Sequence, residues 1–417
     1  MAGKMDNYVL IIKLMTSSKE LDLVKEFGYK VIVFATQLTI SDALKADIPI
    51  EIDLNNDEIV LKKAKELAQK YNIVAVFTLN EYRVPLGALI RESLNLEYGI
   101  PYIAACRCRN KKETRKILTG QKINTVKYAL VNDISDVINK VKEISLPVVI
   151  KPSNDAGSNG VFCCQTMQEV HQAVESIKKN TKNTVGQEMD EEFIVEEFLT
   201  GPEFSIETYT FKKKTEILAI TSKKVLSPFF PIEIGHTVPA NIENSIVCEI
   251  KNLIEDVIMA LEIDNTVSHI EIKLTSSGPK IIEVNARPGG DDIPKLVEMV
   301  TGHNLHKIAF LATLGINREQ ISGIRERVPS ASIRFLTSDK DGVMEFHNAD
   351  QVLNGIDVEK MEIYMDKGEQ VQKVTSNFNR LGYFIVRGNN NKHSDDIADD
   401  LQAELNFIIK EQEANYE

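Results

Sequence analysis

HIEIKLTSSGPKIIEVNARPGG, residues 269–290, is the stretch on which the fold turns. HIEIKL and KIIEVNAR each alternate polar and apolar residues, the period of a half-exposed strand. SSGP between them is a turn signal. A turn centred on Ser277 sets Glu271 opposite Glu283 and His269 opposite Asn285 in an antiparallel register. A slip of one position would break that pairing. Within each strand His269, Glu271 and Lys273 share a face, as do Glu283, Asn285 and Arg287. Like charges opposed across a ladder are destabilising, so two carboxylates and an amide on one patch call for a cation. Oxygen-only ligands favour Mg²⁺ over zinc, and Mg²⁺ in such sites bridges substrate phosphates. The bland alternative is the solvated face of an edge hairpin, and the rest of the chain decides between them.

A length of 417 residues suggests about three domains. Hydrophobic content of 43% and charged content of 26% are ordinary for a globular chain. A net charge of -12 argues against a general nucleic-acid binder, which needs a basic footprint. No apolar run reaches membrane-spanning length, and no cleavage site follows the apolar N-terminal segment. The five cysteines have neither zinc spacing nor a disulfide framework. Reduced thiols in a cytoplasmic protein are expected.

Residues 8–105 alternate strands (YVLIIKL, YKVIVFA, IVAVFTL) with helices. SSKELDLVKEFG is a helix with a serine start and a Gly28 stop. DEIVLKKAKELAQKYN is an amphipathic helix, and EYRVPLGALIRESLNL another that leads to GIPYI. This predicts a Rossmann-like parallel sheet with helices on both sides. No GxGxxG follows the first strand, which argues against a dinucleotide site. Ligands of such sheets bind at the carboxyl ends of strands. Glu81, just past IVAVFTL, is therefore a candidate substrate contact; its other reading is an acid favoured at a helix N-terminus.

Lys111, Lys112, Arg115 and Lys116 collect at a helix start, where cations oppose the macrodipole. They read as a hint of an anionic partner or as a solvated basic helix. LPVVIKPSNDAGSNGV, residues 146–161, is an apolar strand ending in Lys151 and Pro152, then a small, flexible loop. Backbone N–H groups of such a loop can approach phosphate oxygens closely, although no Walker A lysine follows. FIVEEFLTGPEFSIETYTF, residues 193–211, gives two strands around TGP. The acidic segment 187–192 and residues 222–240, SKKVLSPFFPIEIGHTVPA, are expected as long loops, the second an ordered lid carrying Lys223, Lys224, Glu233 and His236. Residues 243–262 form a helix, and DIPKLVEMVTG and HNLHKIAFLATLG two more. Beyond about 320, four strand-like runs and a final helix DDIADDLQAELNFIIKEQ make a small α+β domain.

The lysine at 111, IKP with its glycine-rich loop, EEFLTGPE, HIE and EVNARPGG, in that order, resemble the ATP-grasp superfamily. CRNKKETRKIL, GPEFSIET, PFFPIEIGH and the PGG ending resemble the bacterial L-amino acid ligases that form dipeptides. The resemblance implies an ATP-grasp fold of α/β and α+β parts. Its domains would be a Rossmann-like preATP-grasp domain (1–108), a split ATP-binding domain (109–315, halves about 109–190 and 191–315) and a C-terminal α+β domain (316–417). It implies that Lys111 and Lys151 hold ATP phosphates, and that Ala156, Gly157, Ser158, Asn159 and Gly160 close over them. Glu196, Glu197, Phe198 and Leu199 would form the adenine hinge, Glu203 would bind the ribose, and His269 would lie at the nucleotide. Glu271, Glu283 and Asn285 would hold Mg²⁺, with Mn²⁺ as the alternative. Arg287 would contact the transferred phosphoryl group, beside substrate at Gly289 and Gly290. Asn110 departs from the Asp that many relatives have there.

The implied activity joins two L-amino acids through an aminoacyl phosphate, releasing ADP and phosphate. Phosphorylation turns a poor electrophile into an acyl phosphate, largely by positioning and charge neutralisation. Glu233 and His236 are candidates at the amino-acid site, as general base or as groups that orient an ammonium. The acidic balance points to a basic amino acid such as arginine in the first position. The partners implied are ATP, amino acids and a second copy in a homodimer, with no nucleic acid and no membrane. The competing readings are an ATP-grasp carboxylase and a non-catalytic nucleotide-binding protein.

Overall fold

Strands β1 (Asn7–Lys13), β2 (Lys30–Ala35), β3 (Ile48–Glu51) and β4 (Asn72–Phe77) pair in parallel in the order β3-β2-β1-β4. Val9, Leu10, Ile11 and Ile12 are all buried, as a parallel strand covered on both faces requires. The computed structural model describes residues 6–13, 19–124, 126–320, 327–353 and 358–410. The helix expected after the first strand spans Lys19–Glu26; its serine start lies outside the described residues. GIPYI runs straight into helix Tyr102–Arg109, and Asn110 starts helix Lys111–Gly120. The Asn110 side chain accepts from the Lys112 N–H and donates to Asp190 at 2.8 Å, so an amide does the capping here.

A second, antiparallel sheet follows. It comprises β5 (Tyr128–Val131), β6 (Val148–Pro152), β7 (Phe162–Cys164) and β8 (Phe193–Glu197), ordered β5-β8-β6-β7. Helices Ile134–Ile144 and Met167–Lys179 cover one face through Val137, Val141, Val170 and Val174.

The remaining strands are β9 (Glu203–Phe211), β10 (Lys214–Ser227), β11 (Phe230–Val238), β12 (Thr266–Thr275), β13 (Gly278–Asn285), β14 (Ser330–Leu336), β15 (Gly342–His347), β16 (Val358–Ile363), β17 (Gln370–Val371), β18 (Gly382–Gly388) and β19 (Phe407–Lys410). Eight of them form one sheet, β13-β12-β9-β10-β11-β14-β18-β16. The C-terminal region therefore extends the sheet of the region before it, through the β11–β14 pairing. The final helix ends at Glu404, short of expectation. FIIK beyond it is a strand, since it pairs with β15 and puts Ile409 in the core.

Residues 222–240 are a hairpin inside the large sheet, where a long loop was expected. Pro228 sits in the turn, and Pro231, second in β11, falls in the irregular stretch between the Phe230 and Glu233 pairings, both places that tolerate a missing N–H. The prolines and phenylalanines that suggest a loop belong to this short tip.

The opening hairpin has the expected register: Glu271 faces Glu283 and His269 faces Asn285. Its turn is tighter than a Ser277-centred one, because Thr275 pairs with Gly278. That turn alone would put Glu271 opposite Ile282. A bulge between Glu271 and Ile272 inserts one residue on the facing strand and brings Glu283 into place. Gly201, in the link from β8 to β9, has φ of +127°, and a Cβ there would lie 2.0 Å from the Leu274 carbonyl oxygen. Only glycine lets that link pass so close to β12.

Candidate active site

A cleft opens between the β5–β8 sheet and the hairpin β12–β13, with Val149, Val161 and Cys163 on one wall and Ile282 and Lys273 on the other. Phe198 and Leu199, in the link between the sheets, line it, and Phe198 stacks on Phe229 of the β10–β11 tip at 4.8 Å. Lys111, Lys151, Ala156, Ser158 and Asn159 line it too, as do Glu203, Glu233, Glu271 and Glu283.

Of the four cations at the helix start, only Lys111 turns toward the acids of the hairpin. Its Nζ lies 3.0 Å from Glu283 Oε1 and donates to the Asp155 carbonyl at 2.7 Å. Lys112 pairs with Asp190 and Glu192, and Lys116 with Glu113. Arg115 is buried, with its Nε 2.7 Å from Glu196 Oε1. Lys151 takes the other oxygen of that carboxylate at 2.7 Å. Burial would raise the Glu196 carboxyl, but the charges of Arg115 and Lys151 outweigh it and hold the group at about 2. Burial pushes Lys151 down. The Glu197 carboxylate pairs with Lys280 at 2.7 Å. Both hinge acids thus have their side chains engaged.

The glycine-rich loop is stapled by Asp155. Its carboxylate accepts from the Tyr82 hydroxyl at 2.7 Å, from the Ala156 N–H at 2.9 Å and from the Asn159 amide at 2.8 Å. Gly157, Ser158 and Gly160 all have φ between 58° and 70°.

The hairpin acids sit in a web of cations. Lys223 Nζ is 3.0 Å from Glu203, 2.5 Å from Glu233 and 3.0 Å from Glu271. His269 bridges Glu207 at 2.5 Å and Glu271 at 3.1 Å. Burial would lower the His269 imidazole, but these two acids lift it to about 10. Burial also works against ionising Glu271 and Glu283. Lys223 and His269 at the first, and Lys111 at the second, outweigh it and hold both below the usual carboxylate range. Two ionised carboxylates on adjacent strands fit Mg²⁺ or Mn²⁺. Both oxygens that the Asn285 amide meets are acceptors, so its nitrogen belongs on that side, donating to Glu283 at 3.2 Å and Glu81 at 3.3 Å.

Arg287 lies just beyond β13, and its Nε is 2.7 Å from Glu81 Oε2, the oxygen that the Asn285 amide also approaches. Glu81, Asn285 and Arg287 thus form one group at the hairpin's end. Gly289 packs on the His269–Glu207 pair, where a Cβ would come within 2.8 Å of His269 Nδ1. A Cβ on Gly290 would meet open space. His236 is buried, with both ring nitrogens unpartnered and Nε2 3.7 Å from Glu233 and Asp291. Burial pushes His236 down and lifts Glu233 to about 8 despite Lys223 beside it.

Arg115 stood in the basic cluster and Lys223 in the expected lid, but neither showed its acid partners in sequence. Glu207, Asp291 and Arg380 were missed outright. Arg380 grips Asp291 with both guanidinium nitrogens at 2.9 Å and comes from the far C-terminal region. The one legible signal was the parity of Glu203, Ser205 and Glu207 along β9, which puts two acids on one face.

Residues 144–295 match the ATP-grasp domain. They contain the loop, the hinge and the acid hairpin, so this part of the chain is an ATP-grasp domain. Residues 334–410 match the L-amino acid ligase C-terminal domain 2. With that second domain the chain is similar to ATP-grasp ligases, most of all to L-amino acid ligases. Dapdiamide A synthase of Enterobacter agglomerans is 28% identical over 57% of this chain and 55% of its own length. Alanine–anticapsin ligase of Bacillus subtilis (strain 168) is 26% identical over 66% of this chain and 61% of its own. The chain thus spans little more than half the length of these two relatives. The crystal structure of an L-amino acid ligase from Bacillus licheniformis superposes with a TM-score of 0.80 at 23% identity, covering 98% of this chain and all of that one. That likeness is one of fold. Among the described residues, no helix is long and apolar enough to cross a membrane.

Proposed function

We propose that this protein uses ATP to activate the carboxylate of one L-amino acid and passes the acyl group to the amine of a second. The products are a dipeptide, ADP and phosphate. The observation that carries this reading is the cleft itself: Lys111 and Lys151 line it with Glu271 and Glu283, and Arg287 stands at the hairpin's end. Its C-terminal domain supports the acceptor class. In the first step a carboxylate oxygen bonds to the γ-phosphorus, the bond to the β-phosphate oxygen breaks and ADP leaves. In the second the amine nitrogen attacks the acyl carbon, loses a proton, and phosphate departs. Lys111 and Lys151 hold the phosphates, with the loop Ala156–Gly160 over them. The backbone of Phe198 and Leu199 serves the adenine, and Glu203 the ribose. Glu271 and Glu283, with Asn285 adjoining, hold Mg²⁺, which neutralises phosphate charge when bound. Arg287, with Glu81 behind it, faces the phosphoryl group in transfer. Glu233, beside Lys223 and His236, accepts the ammonium proton; burial raises its carboxyl, which makes its ionised form a stronger base. Its neighbour His236 stays neutral and orients the amine. The working form is a homodimer in the cytoplasm.

The test is a phosphate-release screen over pairs of amino acids, with mass detection of products and arginine-first pairs as the leading arm. Phosphate release is expected only when a carboxylate donor and an amine acceptor are both present. Turnover indifferent to every amino acid overturns the reading, and bicarbonate-dependent ATP cleavage replaces it with a carboxylase. In the productive pair Glu283→Gln is expected to lower kcat/KM by about 100-fold or more, the scale of losing one preorganised charge.

A further inference from the structure

The geometry points to Arg115 as a positioning residue that aligns the phosphate-binding lysine of one half of the cleft with the metal-binding acid of the other. The inference rests on the ligase reading above and assigns Arg115 no contact with substrate. Its side chain is 1% exposed. Nε meets Glu196 Oε1 at 2.7 Å, and NH2 donates to the Ile282 carbonyl at 2.6 Å. Both partners matter for position. Glu196 Oε2 is what holds Lys151 Nζ at 2.7 Å. Ile282 is the extra residue of the bulge that sets Glu283 opposite Glu271.

One planar guanidinium therefore reaches both sides of the cleft: the strand behind Lys151 and the bulge beside Glu283. A guanidinium has several donors in a fixed fork, so it can serve two acceptors in different directions at once. An ammonium on a shorter stem has no such fork. With Arg115 gone, Glu196 is left with one cation, and the carboxylate that sets Lys151 loses its second anchor and is free to turn, taking the ammonium with it. The Ile282 carbonyl loses its donor, and the bulge is freer to shift Glu283 out of register. The loss is of alignment, so it should appear in metal and nucleotide binding as well as in turnover.

The variants are Arg115→Met, which keeps the stem and removes every donor, and Arg115→Lys, which keeps a charge near Glu196 and abandons Ile282. Two readouts apply: calorimetric titration of ADP with and without Mg²⁺, and kcat and KM for the productive amino-acid pair. Titration needs no amino acid, so it stands even if the screen fails, and failure of one reading does not obscure the other. R115M is expected to weaken Mg²⁺-dependent ADP affinity by about 10- to 100-fold, the scale seen when a residue orienting a metal ligand is lost. Its kcat should fall more than KM rises. R115K should recover ADP affinity without Mg²⁺ but not the Mg²⁺ increment. If R115M does not fold, R115K alone carries the test through the Mg²⁺ increment. Folded variants with ADP and Mg²⁺ affinities and kcat all within about twofold of the parent overturn the proposal, since the loss expected of a residue that orients a metal ligand is at least about tenfold.

Discussion

Glu196 is the residue where burial and charge compete most openly. A lone buried carboxylate would be protonated; two cations at 2.7 Å keep it ionised at about 2. Its pKa is depressed relative to the unfolded chain, so its contribution to stability is complete above the ordinary carboxyl value of 4.5 and is lost as pH falls toward 2. Breaking such a buried pair from one side costs about 3–5 kcal/mol, because the remaining charges are stranded. Glu196→Gln should therefore lower Tm clearly at pH 7, and the gap to the parent should narrow as pH drops below 4.5. Thermal scans across pH check this. A gap that stays constant into acid would mean that Glu196 is not the stabilising anion. The same logic explains Lys223: three acids around one ammonium are tolerable only because each is partly neutralised.

At the scale of elements, the β10–β11 hairpin links the two ends of the site. Its strands hold Lys223, Glu233 and His236, and its tip reaches back to the link between the sheets. The Phe198–Phe229 stack is nearly parallel at 14°, and such pairs contribute about 0.5–1.5 kcal/mol beyond area burial. Phe229→Ala should raise KM for ATP by roughly 2- to 12-fold, the same energy expressed as affinity, with little change in kcat. Steady-state kinetics with varied ATP check it; an unchanged KM would show that the tip does not help shape the nucleotide wall. The hairpin also shows where local pattern misleads. KKVLSPFFPIEIG carries two prolines and reads as a break, yet both prolines fall where the ladder needs no donor.

At the scale of the whole molecule, the cleft is built from both sheets, and the C-terminal region contributes Arg380, which pairs with Asp291 and donates to the carbonyl of the cleft residue Glu233. A ligand that touches both walls should stabilise the assembly by mass action. Mg²⁺ and ADP at about 100 times Kd should add about 2.7 kcal/mol. Differential scanning calorimetry should show that gain for the parent, and a smaller one for Glu271→Gln when Mg²⁺ is present. Equal gains in both would remove Glu271 from the metal site.

By itself the sequence determined the parallel N-terminal sheet, the IKP strand with its loop, and the pairing of Glu271 with Glu283. All follow from periodicities and turn signals carried by neighbouring residues. The register prediction held although the turn was tighter than expected, because the bulge at Ile282 made up the difference. Only the tertiary structure decided who neutralises these acids. Lys223, Lys111, Arg115 and Arg380 reach the site from separate parts of the chain, and contacts so distant along it leave no local pattern; of the cations, His269 alone sits on the strand of the acid it meets. The same is true of the large sheet, whose β11–β14 pairing joins residues nearly a hundred positions apart. Local sequence specifies which face of a strand is polar; the packing of distant elements specifies what that face meets.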